Sequence, residues 1–197
     1  MNETKSKFKN IEAKLEKIYK VITSEEFLKG KGLGNEVNFY IFDYPPDSEL
    51  LVRKYVNNIL IKKIKNSNLD IKPIIIDLYD ILIEVLDSKK VLKPAIDMEK
   101  KTGEEGILKA IKPILKPENF TALIKDKTKD SNLLLLTGVG KIWPLVRSHV
   151  ILNNLHTVIN NMPVILFFPG IYNKLELQLF GKFKGDNYYR AFKLVDD

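Results

Sequence analysis

The 197-residue sequence contains no cysteine. That excludes a disulfide framework, a thiolate-bound zinc or iron–sulfur centre, and a thiol nucleophile. Histidine is nearly absent too: His149 and His156 are the only two, too few for a histidine-rich metal centre. Long apolar runs are also missing. A bilayer-spanning helix needs about 20 consecutive apolar residues, whereas the longest run here, residues 162–169, is short and ends in Pro-Gly. The N-terminus, MNETKSKFKNIEAKLEKIYK, alternates charged with apolar residues and lacks the continuous apolar stretch of a secretory signal. These absences predict a soluble, cytoplasmic protein without membrane association.

What is present suits one folded domain. Hydrophobic residues make up 45% of the chain, enough for a core and too many for overall disorder. Lysine and arginine outnumber acidic residues 32 to 25, a net charge of +7. That excess permits attraction to nucleic acid or to an acidic protein and specifies neither.

Periodicity predicts the elements. Phe8, Ile11, Leu15, Ile18 and Val21 recur at helical spacing over residues 6–21, and Ser24-Glu25-Glu26 opens a short second helix. A glycine-rich stretch, residues 30–34, follows. NFYIFD (38–43) reads as a strand stopped by Pro45-Pro46; Asp47 or Ser48 is placed to cap a helix that runs to about Lys65, with Leu51, Tyr55, Ile59 and Leu60 on its inner side. KPIIID (72–77) is the next strand and residues 78–86 the next helix. An apolar run, an aspartate, then a helix, repeated twice, predicts an α/β fold with a mainly parallel central sheet flanked by helices. Its expected form is a single domain of degenerate P-loop-like (RecA-like) arrangement, spanning residues 1–197. Residues 1–35 form an N-terminal helical arm, and 87–130 a helical insert broken at Pro113 and Pro117. Further strands are expected at 132–137 and 163–168, with a helix over 145–160 that uses Pro144 in its first turn. Residues 175–180 and 188–195 are expected to close the sheet as a hairpin or edge pair.

The segment LLLLTGVGKIWPLVRSHVILN, residues 133–153, invites comparison with a phosphate-binding loop, which requires G-x-x-x-x-G-K-[ST]. With Gly140-Lys141 as the GK pair, the first glycine falls at Leu135 and the hydroxyl position at Ile142. Neither can do the chemistry, so Gly138 and Gly140 read as a tight strand-to-helix turn. A bare anion or partner contact at the helix N-terminus stays open. Asp43 and Asp77 end two predicted parallel strands, where ligand sites of open α/β sheets lie; paired, they would suit magnesium, and singly they would cap helices. His149, Asn153 and His156 share a helical face at i, i+4 and i+7, but asparagine stands where H-x-x-x-H needs histidine. Arg147 lies on the same predicted helix on another face. No hydrolase triad can be assembled. These polar residues therefore read as fold support or partner contact, as do Tyr189 and Arg190 in the aromatic run YYRAF.

The strings TGVGKIWPLVRSHVILNNL, PVILFFPGIYNKLELQLFG and NYYRAFKLV resemble the BrxB family of BREX phage-exclusion systems. FDYPPDSELLVRKYV and IIIDLYDIL are similar to its N-terminal half, so the likeness spans residues 38–195. The matching positions are Asp43, Arg53, Asp77, Thr137, Gly138, Gly140, Pro144, Arg147, Asn153, Pro169, Gly170, Phe180, Tyr189, Arg190 and Phe192. The resemblance implies a prokaryotic defence protein that works with other BREX components: a PglX-type methyltransferase, a PglZ-type protein of the phosphatase superfamily and a BrxC-type ATPase. It carries over no catalytic residue, no metal and no cofactor. The expectation is a non-catalytic adaptor linking the PglZ-type and PglX-type components. The alternative is a nucleotide- or DNA-binding module of the same complex, and a weaker one is a magnesium-dependent nuclease using Asp43 and Asp77.

Overall fold

The computed structural model describes residues 2–28, 38–160, 162–183 and 191–196, with side chains from Asn10 onward. Helix α1 (Asn2–Ile22) and the short α2 (Glu25–Leu28) precede β1 (Phe39–Tyr44). A single 3₁₀ turn (Pro46–Ser48) leads into α3 (Glu49–Tyr55), which passes through a π-helical turn (Val56–Leu60) into α4 (Ile61–Lys65). Then come β2 (Pro73–Asp77), α5 (Leu78–Ser88), α6 (Leu92–Ile111), α7 (Pro117–Lys127), β3 (Leu133–Thr137), α8 (Val139–Ile142), α9 (Ser148–Val158), β4 (Val164–Tyr172), β5 (Leu177–Leu179) and β6 (Phe192–Lys193). Among the described residues, no helix is long and apolar enough to cross a membrane.

The strands form one sheet in the order β2-β3-β4-β1-β6. All of these pairings are parallel, and β5 joins antiparallel to the far end of β4. The fold is thus α/β with a mostly parallel sheet. Both faces are covered, as near-continuous apolar strands demand. Ile41, Leu134, Leu136, Leu166 and Phe168 face the layer containing α5–α9; Phe42, Leu133, Leu135, Ile165 and Phe167 face α1 and α3–α4. Each fully buried leucine of β3 is worth about 1.5–3 kcal/mol over leaving it in water. α1 is therefore part of the core, through Ile11, Leu15, Ile18 and Ile22. Phe8 and the glycines at 30–34 lie outside the described side chains and residues.

Several boundaries differ from expectation for physical reasons. Neither Asp47 nor Ser48 caps α3, because a 3₁₀ turn begun by the Pro45-Pro46 pair intervenes; Ser48 is buried without a capping bond. Val52, Val56, Leu60 and Ile64 form the buried side of this helix, and Ile59 is exposed. Three successive i+4 steps would drift about 120° in a regular α-helix; the π turn absorbs that drift and keeps one face inward. Pro117 starts α7 instead of breaking it. β4 continues through Pro169-Gly170 to Tyr172, so the Pro-Gly pair does not stop it. Among the described residues, the two C-terminal strands do not pair with each other; residues 188–190 of the second expected strand lie outside them. β5 takes the overhang of β4, and β6 takes the open edge of β1.

Candidate functional site

Segment 133–153, singled out by sequence, folds differently from a glycine turn leading into a long helix. Gly138 alone adopts the left-handed conformation (φ 81°) and caps the four-residue α8. The Trp143–Pro144 peptide is cis. α9 begins at Ser148 instead of residue 145, so Pro144 lies outside both helices.

The glycines are positions of close packing. A Cβ at Gly138 would lie 2.1 Å from Asp77 Oδ1; one at Gly140 would lie 3.0 Å from the Phe180 ring. Asp77 stands opposite Thr137 at the ends of β2 and β3. Its Oδ1 accepts the Tyr79 N–H at 2.9 Å, capping α5, and its Oδ2 pairs with Lys141. A protein carboxylate thus already neutralises the lysine and packs over the glycine. The turn is closed by its neighbours.

Asp43 is similarly committed. Its carboxylate is buried, with Lys14 Nζ at 3.0 Å, Lys193 Nζ at 3.5 Å and the Tyr172 N–H donating at 3.0 Å. Asp43 on β1 and Asp77 on β2 are separated by β3 and β4. Three interstrand steps make about 14 Å, too far for one metal or a shared pair of metals. Among the described residues, no group of three or more histidine or acidic side chains is arranged for a metal. Arg53 is engaged in a chain in which it donates to Glu49 (3.0 Å) and Tyr44 Oη also donates to Glu49 (2.6 Å). Burial first, and then the Glu49 charge, raises the Tyr44 phenol well above its usual range.

The same edge holds a cavity of about 360 Å³ on the α5–α9 side. Trp143, Phe168 and Phe183 supply aromatic surface; Arg147, Ser148 and His149 come from the start of α9, and Lys182 from beyond β5. Trp143 and Phe183 stack at 4.3 Å, with Phe180 edge-on to Trp143 at 6.3 Å. Among the described residues, neither aspartate nor glutamate lines the cavity. Arg147 and His149 are candidates from sequence, and the fold brings them together here. Asn153 is exposed further along α9 and does not line the cavity, and His156 stacks on Phe39 at 3.7 Å between centroids. Tyr189 and Arg190 lie outside the described residues. Sequence reasoning misses Trp143, Lys182 and Phe183; the one available signal is that Trp143 is the sole tryptophan.

The family model described as "BREX protein BrxB" matches residues 74–194. A protein called BREX protein BrxB from Bacillus cereus (strain H3081.97) is 44% identical over 192 residues, covering 95% of this chain and 99% of the relative. One of the same name from Escherichia coli O9:H4 (strain HS) is 33% identical over 189 residues, covering 95% and 92%. The chain belongs to the BrxB family. No solved structure matches it. The family match begins inside β2 and ends just past β6, so both the closed turn and the aromatic–cationic cavity fall within BrxB-matched sequence. The family places the chain in BREX phage defence, and the relatives' name states no enzymatic activity.

Proposed function

We propose that this chain is a non-catalytic adaptor of a BREX system, linking PglZ-type and PglX-type methyltransferase components, with a BrxC-type ATPase as a further partner. The observation that carries the proposal is the state of the sheet's carboxyl edge. Catalytic groups of parallel α/β sheets cluster at that edge, yet here Asp43 and Asp77 are both spent on internal lysines and backbone N–H groups. What the edge offers to solvent is the Trp143–Phe183 stack beside Arg147 and Lys182. Tryptophan and arginine are the side chains that most often anchor protein interfaces. Gly138 and Gly140 act as supports that hold this edge, while Arg147, His149, Asn153, Tyr189 and Arg190 are the residues assigned to partner contact. A site of this kind needs no cofactor.

The test is a pull-down of the tagged full chain with each BREX component separately. Recovery of the PglZ-type and PglX-type proteins, reduced in Trp143→Ala and Arg147→Glu, is the expected result. Recovery of no BREX protein by the unaltered chain would overturn the reading. The alternative, a nucleotide- or DNA-binding module, predicts a thermal shift with ATP–Mg²⁺ or a salt-dependent mobility shift with DNA; the Lys141–Asp77 pair argues against the first.

A further inference from the structure

On the opposite face of the sheet, α1 and the α3–π–α4 helix leave an open groove between them. Two adjoining hollows of about 380 and 540 Å³ share Ile59 and Lys63 and run along both helices. Glu12, Glu16 and Tyr19, at i, i+4 and i+7, mark the α1 side. Leu51 and Ile59 supply the accessible apolar surface, Ile59 being 42% exposed, while Leu15 and Tyr55 are buried in the floor.

Three features set this groove apart from an ordinary seam. The Tyr55 side chain is buried beneath the groove, and among the described residues its hydroxyl meets no hydrogen-bond partner, a condition that native interiors rarely leave standing. The two walls carry opposite charge: Glu12 and Glu16 on one, Lys54, Lys62 and Lys63 on the other. None of these five makes an ion pair among the described residues. The π turn lies alongside, turning Leu60 inward while Ile59 faces the groove; such turns recur at functional positions.

We infer that this groove receives one amphipathic helix of a second protein. Its apolar stripe packs on Leu51 and Ile59, carboxylates along one flank meet the lysine wall, and basic residues along the other meet Glu12 and Glu16. Helix-in-groove recognition has this composition: spaced apolar anchors for affinity, flanking charges for register and direction. The groove is separate from the Trp143–Phe183 cavity, so an adaptor would hold two partners on opposite faces.

The test places a photo-cross-linking residue at the exposed Asn58 of the full chain, expressed together with the BREX proteins encoded alongside it. The expected product joins Asn58 to a segment of another protein with apolar residues at helical spacing and acidic residues on one flank. Its yield should fall about fivefold or more in Ile59→Asp and in Lys62→Glu/Lys63→Glu. It should not change in Arg147→Glu, which separates this groove from the cavity. The substituted wall residues are exposed, and circular dichroism confirms that each variant is folded. Cross-linking only to a second copy of the chain, to a segment without such a stripe, or to nothing would overturn the inference. So would a yield indifferent to the wall substitutions.

Discussion

Asp77 and Lys141, 64 residues apart in sequence, form an ion pair across the ends of β2 and α8, while the second carboxylate oxygen of Asp77 caps α5. One side chain thus ties a helix start, a strand end and the glycine turn together. The lysine that sequence places where a nucleotide phosphate would need it has an internal counter-ion instead.

Removing that carboxylate should cost stability, with no gain of nucleotide binding. Asp77→Ala loses a helix cap, worth about 1 kcal/mol, and an ion pair whose carboxylate is mostly buried. We expect about 2 kcal/mol of destabilisation by urea unfolding and a smaller loss for Lys141→Ala. The double variant should lose less than the sum, since both delete one interaction. Strict additivity would contradict the pairing.

Asp43 should matter more. It is the buried carboxylate between Lys14 and Lys193, whose side chains are 12% and 10% exposed. Asp43→Asn keeps an acceptor for the Tyr172 N–H but removes the negative charge between two enclosed lysines. Breaking a buried ion pair from one side costs about 3–5 kcal/mol, so the expected outcome is a large drop in unfolding midpoint. A change under about 1 kcal/mol would show that this cluster is solvated in solution.

The two glycines of the turn should respond unequally. Gly138→Ala forces a side chain into a left-handed conformation, costing about 1–2 kcal/mol, and displaces Asp77 from its cap. Together these predict about 3 kcal/mol. Gly140→Ala presses on the Phe180 ring edge and meets Pro169 at ordinary contact distance, so the loss should stay below about 1.5 kcal/mol and shrink in a Phe180→Leu background. Equal effects at the two positions would refute this division of roles.

Tyr172 should produce an alkaline limb in stability. Burial pushes its phenol up to about 12 from 10.0, while its Oη donates to the Ala191 carbonyl at 2.7 Å. Between those values the unfolded chain has released the proton and the folded chain has not. Folding is therefore fully favoured by this group below pH 10 and loses that contribution as pH rises towards 12. The loss is at most roughly 3 kcal/mol at about 1.4 per pH unit. Tyr172→Phe should be less stable than the unaltered chain below pH 10 by about 1 kcal/mol, with the gap closing above pH 10 and reversing towards pH 12. Parallel stability curves from pH 9 to 12 would count against the assignment.

Part of this molecule is legible in the amino-acid sequence by itself. NFYIFD, KPIIID, NLLLLT and PVILFF are short apolar runs bounded by turn residues, and each supplies a strand of a parallel sheet. That signal is local: alternation and run length are fixed within a few residues of chain. Leu135 and Ile142 stand where a phosphate loop needs a glycine and a hydroxyl, a fact of spacing alone. The BrxB resemblance also resides in the strings themselves. Tertiary structure decided what depends on distant partners. Strand order put Asp43 and Asp77 three strands apart, and packing gave Lys141 its carboxylate and His156 its phenylalanine. The overhang of β4 captured β5, which periodicity assigns to a hairpin or edge pair with the last strand. Whether Trp143 meets Phe183, or Tyr55 is enclosed, follows from how helices seat on the sheet. No window of sequence carries that information, because the elements that meet there are about 40 residues apart in the chain.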